Sequence, residues 1–146
     1  MNTLNYSQLI DLPEDFDYSK VLKINISSCK LKSLHELKLE RFINLQKLNC
    51  SYNGLNNLDG LSNCTSLKKI RCDGNQLKNL DGLFNCTSLQ ELYCSYNKLK
   101  NLNGLFNCTS LQELYCYNIQ LSNLNGLSNC TSLQILNCSY NELSNL

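Results

Sequence analysis

The pentapeptide Asn-Cys-Thr-Ser-Leu occurs four times in this chain of 146 residues, and its copies are always 22 residues apart. They begin at Asn63, Asn85, Asn107 and Asn129. A fixed period of about 20 to 29 residues, with leucine at constant positions, is typical of solenoids in which each unit adds one strand and one short helical turn. The chain is therefore predicted to be an array of small units that share one continuous core.

The unit that opens at Leu89 shows the pattern most clearly. It reads L-x-x-L-x-C-x-x-N-x-L and continues with leucine at every third position. Because side chains alternate along a strand, Leu92 and Cys94 are predicted to face the core, whereas Glu91 and Tyr93 are predicted to face outward.

This pattern resembles the leucine-rich repeat family, whose constant half reads L-x-x-L-x-L-x-x-N/C-x-L. The 22-residue unit, with Asp-Gly-Leu or Asn-Gly-Leu in its variable half, is similar to bacterial internalins and to intracellular phosphatase-regulating leucine-rich proteins. The composition and the Asn-Cys-Thr-Ser-Leu joints are also similar to leucine-rich arrays encoded by giant DNA viruses of amoebae. The resemblance implies an α/β repeat solenoid. This fold is a right-handed arc with a parallel β-sheet on its concave face and short 3₁₀ or α turns on its convex face.

The same frame treats residues 1–146 as a single domain. Residues 1–20 are interpreted as a degenerate first repeat, in which Leu4 is aligned with Cys94 and Leu9 with Leu99. Repeats are then predicted at 21–44, 45–66, 67–88, 89–110 and 111–132, with a partial repeat at 133–146. The repeat at 21–44 is two residues longer, with Phe42 in place of cysteine, and the extra residues are expected to bulge on the convex side. An exposed edge is expected around Leu136, Leu143 and Leu146, either as a homodimer contact or as the cut end of a longer array.

The family resemblance also implies a ladder of asparagine side chains that satisfy backbone groups of neighbouring turns. Its members are Asn53, Asn75, Asn97 and Asn141. Ile119 interrupts this ladder, and two interpretations stay open: a tolerated local repacking, or a reshaped functional edge, which an exposed Ile119 beside Tyr117 would favour.

The Asp-Gly and Asn-Gly pairs of the variable half are predicted to form tight convex turns. The acidic or amide side chain is expected to cap the turn, and the glycine to take a positive φ. These pairs are Asp59-Gly60, Asp81-Gly82, Asn103-Gly104 and Asn125-Gly126.

Nine of the ten cysteines fall on two repeat slots, one in the strand and one in the turn, and the chain contains no C-x-x-C pair. They are interpreted as inward-facing free thiols that behave as small hydrophobic residues. The alternative is a metal-binding or redox-responsive thiol protein. Free thiols suit a reducing compartment. Because no signal peptide or membrane span is evident, the expected location is cytoplasmic, or a host cytoplasm if the chain is viral.

Catalysis and nucleic-acid binding are not expected. His35 is the only histidine, so no His-based triad or paired-His metal site can be formed. No cofactor is predicted. A net charge of +1 and a pI of about 7.4 provide no strong attraction to phosphates.

The outward strand positions vary from unit to unit, and the resemblance implies that this face binds partners. It changes from basic in early units to acidic and aromatic in later ones. The predicted partner-binding residues are Lys47, Lys69, Arg71, Asp73, Glu91, Tyr93, Glu113, Tyr115 and Tyr117. Tyrosine and arginine are frequent binding hot spots, although solvated sheets also favour tyrosine.

The chain is thus predicted to be a scaffold or adaptor that binds a protein partner through its concave face. The alternative is the substrate-recognition module of a ubiquitin-ligase receptor, similar to F-box leucine-rich proteins. The 20 residues before Val21 are too few for an F-box.

Overall fold

Seven short parallel strands form one open sheet in the computed structural model, which describes residues 2–144. The strands are β1 (Thr3–Asn5), β2 (Lys23–Asn25), β3 (Lys47–Asn49), β4 (Lys69–Arg71), β5 (Glu91–Tyr93), β6 (Glu113–Tyr115) and β7 (Ile135–Asn137). Their order in the sheet is their order in the sequence, so each unit pairs with the next. This is the predicted solenoid with a parallel sheet.

The chain returns from strand to strand mainly through 3₁₀ turns. A four-residue helix, α1 (Tyr6–Leu9), follows β1. The 3₁₀ turns are Tyr18–Lys20, His35–Leu37, Leu39–Arg41, Asp81–Leu83, Asn103–Leu105 and Asn125–Leu127. The longer repeat at 21–44 contains two of them, separated by Lys38 in a left-handed conformation, which is where its extra residues are absorbed.

The core is one continuous stack of inward side chains. The central residue of each strand from β2 to β6 is almost fully buried, and the leucines of the turns close the core from the opposite side. Eight cysteines belong to this core: Cys50, Cys72, Cys94 and Cys116 from the strand slot, and Cys64, Cys86, Cys108 and Cys130 from the turn slot. A single unit has too little apolar surface to fold alone, so stacking supplies most of the burial.

The pairing of β1 corrects the alignment of the first repeat. Leu4 lies opposite Ile24, and the register continues through the sheet to Leu92. Leu4 therefore occupies the slot of Leu92, and the predicted alignment with Cys94 is wrong by two residues. That alignment assumes a 22-residue spacing, whereas Leu4 and Ile24 are 20 residues apart. Residues 1–20 still contribute the first strand of the sheet.

The glycines of the variable half follow the predicted conformation only once. Gly60 has a φ of 104°, but Gly82, Gly104 and Gly126 do not take a positive φ. Each of these three is the middle residue of a 3₁₀ turn that packs against the preceding unit. A Cβ atom on Gly104 would lie 2.2 Å from the carbonyl oxygen of Leu80. These three positions therefore require glycine because the backbone of the preceding unit approaches them too closely for a Cβ atom.

The turns are capped by a different side chain from the one predicted. Leu80, the residue before the turn at Asp81–Leu83, provides no side-chain cap. Instead, Asn79 Oδ1 accepts a hydrogen bond from the backbone N–H of Asp81 at 3.1 Å. Asn57, Asn101 and Asn123 make the same contact in their own units. The capping side chain thus lies two residues before the Asp-Gly or Asn-Gly pair.

The asparagine ladder is confirmed. Asn75 Oδ1 accepts a hydrogen bond from Leu55 N at 3.1 Å, and its Nδ2 donates to the carbonyl oxygens of Cys50 and Cys72 at 3.1 and 3.0 Å. Asn53, Asn97 and Asn141 bridge neighbouring units in a similar way. Each asparagine joins the strand end of its own unit to the strand end and turn of the unit before it.

Ile119 is fully buried in the core, so the condition that would favour a reshaped functional edge is not met. The backbone around it differs from that of the units that have an asparagine in this slot. Asn141 Oδ1 accepts from both Ile119 N and Leu121 N at 3.1 and 3.0 Å, and Gln120 adopts a φ of 71°. The unit at 21–44 has Cys29 in the same slot and shows the same arrangement. Asn53 Oδ1 accepts from Cys29 N and Leu31 N, and Lys30 has a φ of 58°. Local repacking accounts for both interruptions.

We expect the substitution Gln120→Gly to raise the free energy of unfolding by about 0.5–1 kcal/mol, since a left-handed backbone strains other residues and suits glycine. Gln76→Gly is the matched control, because Gln76 occupies the same slot without a positive φ. This control is expected to lower the free energy of unfolding by about 0.5–1 kcal/mol. Urea unfolding of both variants measures the difference, and a loss of stability in both would contradict the assignment of strain to Gln120.

The sheet ends at β7 with partly uncovered apolar side chains. Ile135 is 44% exposed and Leu136 is 38% exposed, while Leu143 is partly buried. Leu146 lies outside the described residues. A homodimer contact at this edge stays a prediction, which light scattering at several concentrations tests.

Candidate functional site

The outward strand positions form two columns that run across the sheet, here called the sheet face. The first column is Lys23, Lys47, Lys69, Glu91, Glu113 and Ile135, and the second is Asn25, Asn49, Arg71, Tyr93, Tyr115 and Asn137. Neighbours within a column lie directly opposite each other, on strands about 4.8 Å apart. The charge of the first column therefore changes sign between β4 and β5.

At this change of sign, charged side chains cover one face of the Tyr93 ring. The Lys69 ammonium forms an ion pair with Glu91, and this hydrogen bond raises the pKa of Lys69. The Lys69 ammonium and the Arg71 guanidinium lie 5.0 and 5.2 Å from the Tyr93 ring centroid. Both distances are within the range of cation–π attraction.

The opposite face of Tyr93 stacks on Tyr115. The ring centroids are 4.7 Å apart, and the ring planes differ by 7°. The Tyr93 hydroxyl donates to Glu91 Oε2 at 3.3 Å, and the Tyr115 hydroxyl donates to Glu113 Oε2 at 3.5 Å. Burial raises the pKa of Tyr93, so its hydroxyl remains a donor at neutral pH. The two half-buried rings are thus fixed by stacking between strands and by hydrogen bonds within each strand.

Tyr117 contacts a different tyrosine. Its ring meets Tyr96 edge to face, with centroids 5.2 Å apart and planes at 82°. Tyr96 is 51% exposed and enlarges the aromatic surface beyond the strand ends. Tyr96 is not among the predicted binding residues, and Tyr52 and Tyr140 occupy the same repeat slot in other units. Tyr117 lies in a slot that other units mostly fill with serine, and this departure is the sequence feature that distinguishes Tyr96 from the other two tyrosines.

Asp73 lies beneath the sheet face instead of on it. It is largely buried, and its Oδ1 accepts a hydrogen bond from Ser95 N at 3.1 Å. Its Oδ2 lies 3.8 Å from Arg71 Nε. Burial raises the pKa of Asp73, although the contacts with Ser95 and Arg71 oppose this effect. We therefore assign Asp73 a supporting position, while the other eight predicted residues are at least partly exposed.

This support explains how tyrosine can occupy the second column. In three of the six units an asparagine there accepts a hydrogen bond from the N–H two residues later, as Asn49 does from Ser51 N at 3.1 Å. Tyr93 cannot accept such a bond at this position, and Asp73 from the preceding unit supplies the acceptor for Ser95 N. Ser95 Oγ then accepts from Tyr117 N at 3.2 Å in the following unit. Asp73 and Ser95 thus accept the backbone hydrogen bonds that Tyr93 and Tyr115 cannot accept.

Eight of the cysteines are core residues, and burial disfavours the thiolate form of each of them. Burial raises the pKa of Cys64 to about 11, and it raises the pKa of Cys50, Cys86, Cys108 and Cys116 to about 12. Thiols are much weaker nucleophiles and metal ligands than thiolates. Within residues 2–144, no group of three or more His, Cys, Asp and Glu side chains could hold a metal ion. These observations favour the buried-core interpretation over a thiol-based responder.

No helix in the described part of the chain has both the length and the apolar character required to cross a membrane.

The stacked units and their outward aromatic surface define a repeat solenoid with an open sheet face. A family model described as "Leucine Rich repeats (2 copies)" matches residues 43–85 and 87–129, which is more than half of the chain. The chain therefore belongs to the leucine-rich repeat family. A search of curated proteins gave no match.

Solved structures confirm the predicted likeness to internalins. An internalin from Listeria monocytogenes is 25% identical with a TM-score of 0.81, and the match covers 88% of this chain and 37% of that protein. Internalin C2 from the same species is 24% identical with a TM-score of 0.74, covering 81% of this chain and 52% of that one.

A leucine-rich repeat protein from Leptospira interrogans is 20% identical with a TM-score of 0.65, covering 88% of this chain and 45% of the other. The chain spans about half or less of the length of these proteins. The three likenesses establish the fold and add nothing in favour of a ubiquitin-ligase receptor.

Proposed function

We propose that the chain is a scaffold or adaptor that binds a protein partner through the sheet face, with no catalytic activity of its own. Leucine-rich repeat folds commonly act as protein-interaction modules, and solenoids present extended concave surfaces for this purpose. The observation that carries the proposal is the Tyr93–Tyr115 stack with Lys69 and Arg71 over its outer face.

This cluster has the physical properties of a binding hot spot. Tyrosine and arginine are enriched among hot-spot residues, and a rigid side chain loses little conformational entropy when a partner binds. Tyr93 and Tyr115 are already held by stacking and by their glutamates. The cluster also lies on β4 to β6, which are interior strands of the seven-stranded sheet.

The lysines at the other end of the first column support the same proposal. Lys23 and Lys47 lie directly opposite each other on β2 and β3, where like charges destabilise a sheet. Within residues 2–144 neither lysine forms an ion pair. An acidic group of a partner would relieve this repulsion, so the uncompensated pair suits a face that is covered when it functions.

We also propose that the chain acts in the cytoplasm, or in a host cytoplasm if it is viral. The ten free thiols are the basis of this proposal, because they suit a reducing compartment.

The test compares capture by the full chain and by the double variant Tyr93→Ala with Tyr115→Ala. The partner is first captured from the native cell by the unaltered chain and identified, and its affinity is then measured for both proteins. We expect the double variant to bind at least tenfold more weakly, since hot-spot tyrosines commonly contribute about 2 kcal/mol or more. Its thermal melt by circular dichroism should change little, because neither ring belongs to the core. Equal affinity would place the binding site elsewhere.

A further inference from the structure

We infer that the sheet face receives an arginine side chain of its partner beside β7, with the guanidinium stacked on Tyr115 and bound to Glu113. This inference rests on the proposed function and names the chemistry by which the partner is recognised. The partner is therefore a protein or peptide that presents an exposed arginine.

The chain contains an internal example of this arrangement. On β5, Tyr93 and Glu91 face two cations from β4: Lys69 forms the ion pair with Glu91, and Arg71 lies over the Tyr93 ring. The Glu91 carboxylate therefore has a cationic partner, and the Tyr93 ring has a cation over its face.

The sequence Glu-Leu-Tyr-Cys that begins at Glu91 occurs again at Glu113. In the second copy, no lysine or arginine lies opposite on the neighbouring strand β7. The residues opposite Glu113 and Tyr115 on β7 are Ile135 and Asn137. In the described part of the chain Glu113 forms no ion pair. Its carboxylate contacts the Tyr115 hydroxyl at 3.5 Å, which leaves its charge uncompensated.

The charges of the first column strengthen the case for a cationic ligand. Glu91 and Glu113 lie directly opposite each other, and only Lys69 neutralises this pair of carboxylates. Like charges in such positions repel, so a cation beside Glu113 would stabilise the sheet face. An acidic or neutral group at this place would leave the repulsion unchanged.

The shape of the open position favours arginine over lysine. One face of the Tyr115 ring is covered by Tyr93, and the other face is directed toward β7, where only the shorter Asn137 is opposite. A planar guanidinium can stack on this face and bind a carboxylate through two N–H groups at once. Its aliphatic stem would pack on Ile135, which is an exposed apolar residue at the end of the first column.

The experiment titrates the full chain with two small probes, N-acetyl-arginine methylamide and its neutral isostere N-acetyl-citrulline methylamide, and follows the tyrosine ring signals by NMR. We expect saturable shifts of the Tyr115 signals with a Kd of about 1 to 10 mM for the arginine probe. The citrulline probe should bind at least about fivefold more weakly, because it lacks the charge.

Two variants complete the test. Glu113→Gln is expected to weaken binding of the arginine probe about fivefold. Glu36→Gln makes the same charge change on an exposed convex turn and should leave the affinity unchanged. Absence of a Tyr115 response, equal affinity for both probes, or an unaltered affinity of Glu113→Gln would each overturn the inference.

The probe titration and the partner-capture experiment test the two proposals separately. If the Tyr93→Ala and Tyr115→Ala variant loses the captured partner while the arginine probe does not act on Tyr115, the binding face stands and the arginine inference is wrong. If the probe binds as expected but the double variant retains the partner, the proposed function is wrong.

Discussion

Raising the pH above about 9 is expected to unfold this chain in one cooperative step that is complete near pH 10. Eight buried cysteines have a raised pKa in the folded state, because burial disfavours their thiolate form. The usual pKa of the thiol is 9.0, so the unfolded chain loses these protons first. Stability is fully present below pH 9 and falls as the pH rises toward the folded values of about 11 to 12.

The size of this effect follows from the number of thiols. Each group that is ionised only in the unfolded state lowers the free energy of unfolding by about 1.4 kcal/mol per pH unit. Eight such groups give a limiting slope of about 11 kcal/mol per pH unit, which is comparable to the whole stability of a typical domain. Unfolding should therefore follow soon after the unfolded-state pKa is passed.

The measurement follows circular dichroism and thiolate absorbance on the same sample between pH 7 and 11. The absorbance from the eight core thiols should rise together with the loss of the circular dichroism signal. Cys94→Val removes one buried thiol and should reduce the slope by about 1.4 kcal/mol per pH unit. Leu92→Val weakens the same strand without removing a thiol, so it should lower stability and leave the slope unchanged. Two thiols, Cys29 and Cys138, lie outside the core. Thiolate absorbance from more than two thiols at constant circular dichroism would show that core thiols ionise in the folded chain, against our account of the core.

The substitution Gly104→Ala is expected to lower the free energy of unfolding by about 3 kcal/mol or more. The added Cβ would lie 2.2 Å from Leu80 O and 2.3 Å from Leu80 C, and both are backbone atoms of the preceding turn. These atoms can move only if two stacked units separate, which would disturb the core on both sides. Overpacking of this kind commonly costs about 1–3 kcal/mol, and more when backbone must shift.

Gly54→Ala is the matched control for this prediction. Its Cβ would also make a short contact, 2.8 Å, but the atom it meets is Nζ at the flexible end of Lys32. The lysine can move aside, so the stability should change by no more than about 0.5 kcal/mol. Urea unfolding of both variants gives the comparison. Similar losses at Gly54 and Gly104 would show that the close approach of neighbouring turns is not what requires glycine.

Much of the fold is predictable from the 22-residue period, because the period repeats local patterns. Alternation around Leu92 predicts the strand and its inward face, and the position of Asn97 predicts the ladder. The register of Leu4 is not predictable in this way, since the length of a degenerate unit is not part of the pattern. The pattern also does not predict why residue 104 must be glycine, because the distance between turns is a property of stacking that no single unit contains.

The candidate site was predicted in outline but not in its contacts. Alternation correctly places Lys69, Glu91, Tyr93 and Tyr115 on the outward face of the strands. The ion pair, the cation–π contacts and the stacked rings depend on neighbouring strands and on side-chain conformations, which the sequence pattern does not describe. The burial of Asp73 is also not predictable from the pattern. Other units mostly have a small serine in this slot, which does not indicate where an aspartate side chain would lie.

Comparative binding of the purified partner tests the central claim most directly. It uses the unaltered chain, the sheet-face variant Tyr93→Ala with Tyr115→Ala, and the convex variant Phe84→Ala with Phe106→Ala. Phe84 and Phe106 are exposed aromatic residues at the ends of 3₁₀ turns, so the second pair removes similar aromatic surface from the opposite side of the solenoid. Our account predicts at least a tenfold loss of affinity for the sheet-face variant and unchanged affinity for the convex variant. The reverse result would contradict binding through the sheet face.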